Sequence, residues 1–246
     1  MENAYFTDMD STIICSKVTG DDLVCVATKN GKSTSFMRKG SKELFDTITT
    51  KIVTVPITTR CERSYNNILL KTLFKHALAD NGARLITEDE KEREEWLAES
   101  YEISSGARAQ FDECRKIIES YLYKEKWGSD FVLDYSCKMI TAEEVKKLAS
   151  ELEKFTELLV NTGKTSIVVT FKCLSKGVAI KRYCKKFGFF PYLSSGDNKE
   201  DESMFNVTKF SIGKKNATYV LDTNDKLEFC DFVVQKAAEL IEKSEQ

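Results

Sequence analysis

Phe6-Thr7-Asp8-Met9-Asp10-Ser11-Thr12-Ile13-Ile14 sets two carboxylates directly after a short apolar run, Ala4 to Thr7, that reads as a strand. In an open α/β sheet ligands gather at the carboxyl ends of strands, so Asp8 and Asp10 are expected at the rim of a ligand crevice. Two carboxylates so spaced can share one divalent cation, or one can attack an electrophile while the other moves a proton. A second acidic segment, Ser195-Gly196-Asp197-Asn198-Lys199-Glu200-Asp201, follows another apolar run, Phe189 to Leu193. Gly196 permits a tight turn there. Hard oxygen donors from two separate strand ends are what Mg²⁺ requires, and a cation would offset their mutual repulsion.

Between these segments the periodicity changes twice. Leu23 to Thr28 and Ser33 to Met37 flank Asn30-Gly31, a strong hairpin pattern. Ser41 to Thr50 reads as a helix, Ile52 to Ile57 as a buried strand, and Leu73 to Ala79 with Ala83 to Ile86 as a second hairpin about Asn81-Gly82. The middle of the chain is helical in spacing. Glu88 to Tyr101 forms one helix, with Trp96 and Leu97 its main apolar residues, and Phe111 to Leu122 forms a second. A third opens at Thr141 with Glu144 three residues on, a capping box, and its apolar spacing runs from Val145 to Leu159. Phe131 to Tyr135 and Ser166 to Phe171 are strand candidates. After them come a helix over 177–186, short strands near Tyr192 and Tyr219, and a terminal helix from Asp225. Strands alternating with helices at both ends predict an α/β fold with an inserted second domain.

Charge supports the division. The 246 residues carry 37 Lys+Arg against 39 Asp+Glu, yet Thr87 to Phe171 is net −7 and the remainder net +5. The near-neutral total argues against a nucleic-acid or membrane-surface protein, and no apolar run is long enough to span a bilayer. An acidic, polar N-terminus argues against a signal peptide. Eight cysteines without paired C-x-x-C units read as free thiols in a reducing cytoplasm. His76 is the only histidine, which weighs against Ser-His-Asp hydrolysis and histidine metal sites; it is expected near the second hairpin. Gly163-Lys164-Thr165 resembles the end of a P-loop, but Leu158 replaces the first Gly and no strand is expected before it; a helix C-cap is the simpler reading.

Four motifs in order resemble those of the haloacid-dehalogenase-superfamily hydrolases. They are FTDMDSTII; IVTVPITTR, a strand ending at Thr58; Ser175-Lys176-Gly177-Val178-Ala179-Ile180, opening a helix; and SSGDNKEDESMF. The long interval between Thr58 and Lys176, and the phrase Asp80-Asn81-Gly82-Ala83-Arg84-Leu85-Ile86, resemble the Cof-type and sucrose-phosphate-phosphatase-like branch. That resemblance implies a Rossmann-like parallel core, residues 1–86 and 172–246, with an α+β cap over 87–171. It further implies a Mg²⁺-dependent phosphatase acting on a small phosphorylated metabolite, most plausibly a sugar phosphate. A phosphotransferase or phosphomutase of the same superfamily, or a non-catalytic phosphometabolite-binding module, remain alternatives. The oligomer expected is a monomer or homodimer.

By the same resemblance Asp8 is the nucleophile and Asp10 the general acid and base, a carboxyl at the second position pointing to phosphate chemistry rather than dehalogenation. Thr58, Thr59, Lys176 and Asn198 are the implied phosphate-binding residues. Asp8, the Asp10 backbone carbonyl and Asp197 are the implied Mg²⁺ ligands, with Asp201 nearby and able to act through water. Two departures stand out. Thr59 occupies a position where relatives carry Gly, and Glu200 one where many carry Asn, with Asn198 the alternative source of that amide contact.

Overall fold

The computed structural model describes residues 1–121, 125–138, 140–162 and 166–244. Its elements, in chain order, begin with β1 (Asn3–Thr7), β2 (Cys15–Ser16), β3 (Leu23–Lys29), β4 (Lys32–Arg38), α1 (Lys39–Lys51) and β5 (Val53–Pro56). Next come α2 (Glu62–Tyr65), β6 (Ala77–Ala79), β7 (Arg84–Ile86), α3 (Glu90–Ser104), α4 (Arg108–Tyr121), β8 (Glu125–Gly128) and β9 (Val132–Ser136). They continue with α5 (Ala142–Leu152), β10 (Leu158–Thr162), β11 (Ser166–Phe171), α6 (Lys176–Phe187) and β12 (Phe190–Gly196). The chain closes with α7 (Glu202–Phe205), β13 (Phe210–Gly213), β14 (Tyr219–Val220) and α8 (Lys226–Ser244).

The central sheet is five-stranded and parallel, in the order β14-β13-β12-β1-β5. Ala4, Tyr5 and Phe6 of β1 are wholly buried, as a strand covered on both faces must be. Tyr5 joins a cluster with Phe45 of α1 and with Phe229, Val233 and Ala237 of α8. Ala4 and Phe6 join the opposite cluster with Ala179, Ile180 and Tyr183 of α6. From β1 the chain crosses first to β5 on one side and later returns to β12 on the other. The direction of winding therefore reverses at the β1/β12 boundary, where such sheets open a crevice. Asp8 and Asp197 follow the two strands that flank it.

A second, antiparallel sheet runs β10-β11-β9-β8. Leu133, Tyr135, Ile167 and Val169 point to one of its faces and pack with Phe111, Cys114 and Ile118 of α4 and Leu148 and Leu152 of α5. On the other face Asp134, Val168 and Asn161 lie opposite one another on β9, β11 and β10. α3 belongs to neither sheet alone. Its Trp96 is buried in the α6-side cluster of the central sheet, donates Nε1–H to Gly82 O at 3.0 Å, and lies under the Arg182 guanidinium at 4.0 Å.

Several sequence expectations need correction. The helix opened by the Thr141 capping box ends at Leu152; Phe155 follows it in a turn and Leu159 lies in β10. A strand therefore does precede Gly163-Lys164-Thr165, contrary to the sequence reading, although that triplet itself, like Leu122, falls outside the described residues. β13 was not anticipated. The Asn30-Gly31 hairpin forms, with both residues at positive φ (51° and 73°). His76 donates or accepts at Nδ1 with the Tyr183 hydroxyl at 2.8 Å, just ahead of β6. All eight cysteines are unbonded. Among the described residues no helix is long and apolar enough to cross a membrane.

Candidate active site

The site sits at the carboxyl edge of the central sheet. Asp8 is fixed first by its backbone, whose N–H donates to Ser195 O at 2.9 Å and so locks β1 to β12. The chain then doubles back. The amides of Thr12, Ile13 and Ile14 all donate to Met9 O, with Ser11 at φ 63°. That turn carries Thr12 back over Asp8. Its hydroxyl lies 3.2 Å from Asp8 Oδ2 and 3.4 Å from Asp197 Oδ1.

Lys176 enters from the first turn of α6. Ser175 caps that helix, its Oγ accepting from Val178 N. Gly177 follows because a Cβ there would stand 2.1 Å from Ser203 O, so α6 and α7 approach only without a side chain. The Lys176 Nζ, 2% exposed, donates to Asp8 Oδ1 and Asp201 Oδ1, each at 2.6 Å. Asp201 is spent on structure as well: its Oδ2 accepts from the backbone amides of Asp197 (2.9 Å) and Asn198 (3.0 Å). Gly196 makes room, since a Cβ there would fall 2.3 Å from Asp201 Cβ.

One oxygen from each of Asp8, Asp197 and Asp201 lies within 4.8 Å of the others. Burial pushes the Asp8 carboxyl up; Lys176 pulls it back, and Asp201 and Asp197 push it further up. Burial likewise raises Asp197, with Asp201 adding to it, to about 6. Lys214 Nζ, 3.9 Å from Asp197 Oδ2, is too distant to cancel that. For Lys176 burial works against the charge, but two carboxylates in contact outweigh it and its pKa is raised. The centre thus holds one firmly charged lysine among three crowded carboxylates. An all-oxygen donor set with surplus negative charge fits a hard divalent cation.

Asp10 is placed differently. It sits beyond the turn, half exposed, where the Arg60 guanidinium holds it in a two-point contact: Nε to Oδ2 and Nη2 to Oδ1, both 2.6 Å. Thr58 is buried; its Oγ1 accepts from Arg60 N at 3.1 Å, which shapes the turn and leaves its own hydroxyl proton to donate. Thr59 lines the adjacent cleft. Asn198 is exposed, and its side-chain amide donates to Asp197 Oδ1 at 2.9 Å. The structure therefore brings Asp8, Lys176, Asp197 and Asp201 together, keeps Asp10 and Thr58 at the rim joined by Arg60, and turns Asn198 onto Asp197. Arg60 and Thr12 lie within the motifs, yet the sequence pattern assigns neither a role. Nothing local marks them, since each acts on a carboxylate placed by the turn or by another strand.

A cleft of about 640 Å³ opens beside Asp10. Its walls are Thr59 and Arg60 from the β5 loop, Lys17, Thr34 and Ser35 from the β2–β4 region, and Asp134, Ser166 and Val168 from the second sheet. The second sheet thus roofs the cleft with the face opposite its own apolar core. Its lining residues are almost all polar in type, seven of them bearing hydroxyls, although their aliphatic stems supply much of the wall.

A family model described as haloacid dehalogenase-like hydrolase matches residues 24–238. That span includes the second, third and fourth motifs, with Asp8 and Asp10 just upstream of it. No curated protein sequence matches the chain. Among solved structures, the sucrose-phosphatase of Synechocystis sp., in complex with sucrose and phosphate, superposes with a TM-score of 0.65 at 14% identity, over 98% of each chain. The C. albicans trehalose-6-phosphate phosphatase C-terminal domain gives 0.60 at 15% identity, over 98% of this chain and 92% of that one. An Aspergillus fumigatus trehalose-6-phosphate phosphatase gives 0.51 at 14%, over 97% and 93%.

Proposed function

The chain belongs to the haloacid dehalogenase-like hydrolases, and from that premise we propose that it is a Mg²⁺-dependent phosphatase of a small, hydroxyl-rich phosphomonoester, a sugar phosphate by preference. The observation that carries the reading is Lys176, buried and bridging Asp8 and Asp201 beside Asp197. Asp8, Asp197, Asp201 and the Asp10 backbone carbonyl would hold the ion. When bound, it supplies positive charge against the phosphoryl oxygens and the carboxylates around them.

In this reading an Asp8 carboxylate oxygen attacks phosphorus, and the ester P–O bond breaks as Asp10 gives its proton to the leaving oxygen. Water then attacks the aspartyl-phosphate, giving a proton back to Asp10, and inorganic phosphate leaves with Asp8 restored. Lys176 neutralises charge on nucleophile and phosphoryl group, and Thr58 donates its hydroxyl to a phosphoryl oxygen. Arg60 orients Asp10 until substrate arrives. Residues 87–171 act as the cap, with α3 its base anchored on α6 and the second sheet its closing part, and the cleft beneath that sheet takes the leaving alcohol and sheds water on closure. The solved phosphatases of sucrose- and trehalose-phosphates with this fold support a sugar leaving group. Eight unbonded cysteines support a cytoplasmic setting.

The test is phosphate release from a panel of sugar phosphates, phosphoglycerate derivatives and nucleotides, with Mg²⁺ or with EDTA. Release by the wild type with Mg²⁺, abolished by EDTA and by Asp8→Asn, is expected. Release persisting in Asp8→Asn would sink the mechanism.

A further inference from the structure

Glu200 is an odd residue for its place. It adds a third carboxylate to a turn that already holds Asp197 and Asp201, where surplus negative charge is costly. Its hydrogen-bond partner among the described residues is an amide. Asn161 Nδ2, from β10 of the second sheet, donates to Glu200 Oε1 at 2.8 Å. An amide holds the carboxylate without supplying a counter-charge. Asn161 also stands in register with Val168 on β11 and Asp134 on β9, and both of these line the roof of the cleft. On the other side, Glu200 O accepts from Ser203 Oγ at 3.2 Å, and Ser203 Oγ accepts from Gly177 N at 3.1 Å, one residue after Lys176. One hydrogen-bonded line therefore runs from the roof of the cleft, through the acidic turn, to the lysine that bridges the carboxylates.

We propose that the Asn161–Glu200 hydrogen bond is a latch that fixes the height and register of the second sheet over the phosphoryl site, which makes Asn161 a positioning residue for the reaction. This rests on the phosphatase reading above for its kinetic consequences, but not for its structural ones. When the sheet lifts, Glu200 returns to water and Asn161 loses its partner. A hydrogen bond to a carboxylate shifts the closed-to-open ratio by about tenfold. Substrates large enough to be held between turn and sheet feel that shift, and small ones do not.

The test uses the full-length protein as wild type, Asn161→Ala, Glu200→Ala, the double variant and Glu200→Gln. Amide hydrogen exchange at 197–200 and 160–162 should accelerate in both alanine variants, while the Leu133 and Tyr135 amides of β9 stay protected, which reports an intact second sheet. With Mg²⁺, kcat/KM for glucose 6-phosphate should fall about tenfold, chiefly through KM, and that for acetyl phosphate less than twofold. The double variant should match the singles, and Glu200→Gln, which keeps the accepting oxygen, should behave as wild type. Unchanged exchange, additive losses in the double variant, or a Glu200→Gln protein as impaired as Glu200→Ala would overturn the latch. If no variant, nor the wild type, releases phosphate from either probe, the phosphatase reading fails and the exchange data still decide the latch.

Discussion

Replacing Lys176 by Met removes the cation that bridges Asp8 and Asp201, keeping a side chain of similar length in a site only 2% exposed. The cost follows from what is left. Oxygens of Asp8, Asp197 and Asp201 lie within 4.8 Å of one another. At an effective dielectric of about 20, two charges at that separation repel by about 3.5 kcal/mol. That agrees with the about 3–5 kcal/mol observed when one partner of a buried ion pair is deleted. The variant escapes part of the cost by protonating its carboxylates, so the loss depends on pH. Asp8 and Asp197 bind protons more tightly in the native than in the unfolded state, and stability then falls as pH rises. Urea unfolding in EDTA should therefore show a deficit of about 3 kcal/mol at pH 8 that shrinks steadily towards pH 5. Mg²⁺ should restore more stability to the variant than to the wild type, because it fills a more negative site. Phosphate release should fall about 10²–10³-fold. A Lys176→Met protein as stable as wild type at pH 8 without Mg²⁺, or one whose deficit ignores pH, would refute the electrostatic reading of this centre.

Other perturbations separate the remaining parts. Asp80 is buried, pushed up to about 6 by burial with Arg84 pulling it back, and held at φ 51°. Such a carboxyl costs stability as pH rises from about 4 to about 6, so Asp80→Asn, which also suits the left-handed backbone, should stabilise by about 1 kcal/mol at pH 7 and by little at pH 4.5, read by urea denaturation. Arg60→Met should leave stability within about 1 kcal/mol, since Asp10 is half solvated, yet lower kcat about 10–100-fold by freeing the Asp10 carboxyl. Gly196→Ala puts a methyl group where Asp201 stands; a loss of about 2–4 kcal/mol in thermal or urea unfolding, with Mg²⁺-dependent activity gone, is the expected result.

What could be read from sequence was whatever is local along the chain. Asp8, Thr58, Lys176 and Asp197 each follow or open an element, so a strand-then-acid or cap-then-lysine pattern exposes them, and the Asn30-Gly31 and Thr141–Glu144 signals did the same for a hairpin and a helix start. Errors arose where one residue pattern serves two structures. Phe155 and Leu159 keep the helical phase of Val145 and Leu152, and only the paired strand β11 shows that the chain has already extended. Four-residue β13 carries too little pattern to announce itself. The long-range contacts were beyond reach for a different reason. Arg60 with Asp10, and Asn161 with Glu200, depend on where segments far apart in sequence meet in space. Trp96 shows the same limit: its spacing marks it as buried, but that it packs against α6 of the central sheet, rather than within the insert, is decided by the Arg182 guanidinium over its ring.

In the proposed reaction phosphorus passes through a covalent bond to Asp8. Acid-quenching the protein during turnover of ³²P-labelled glucose 6-phosphate with Mg²⁺, followed by peptide mapping, tests it directly. Acid-stable, hydroxylamine-sensitive label on the peptide containing Asp8, and none in Asp8→Asn, is the expected result. Phosphate released with no label on the wild-type chain, or label that survives the Asp8→Asn substitution, would contradict it.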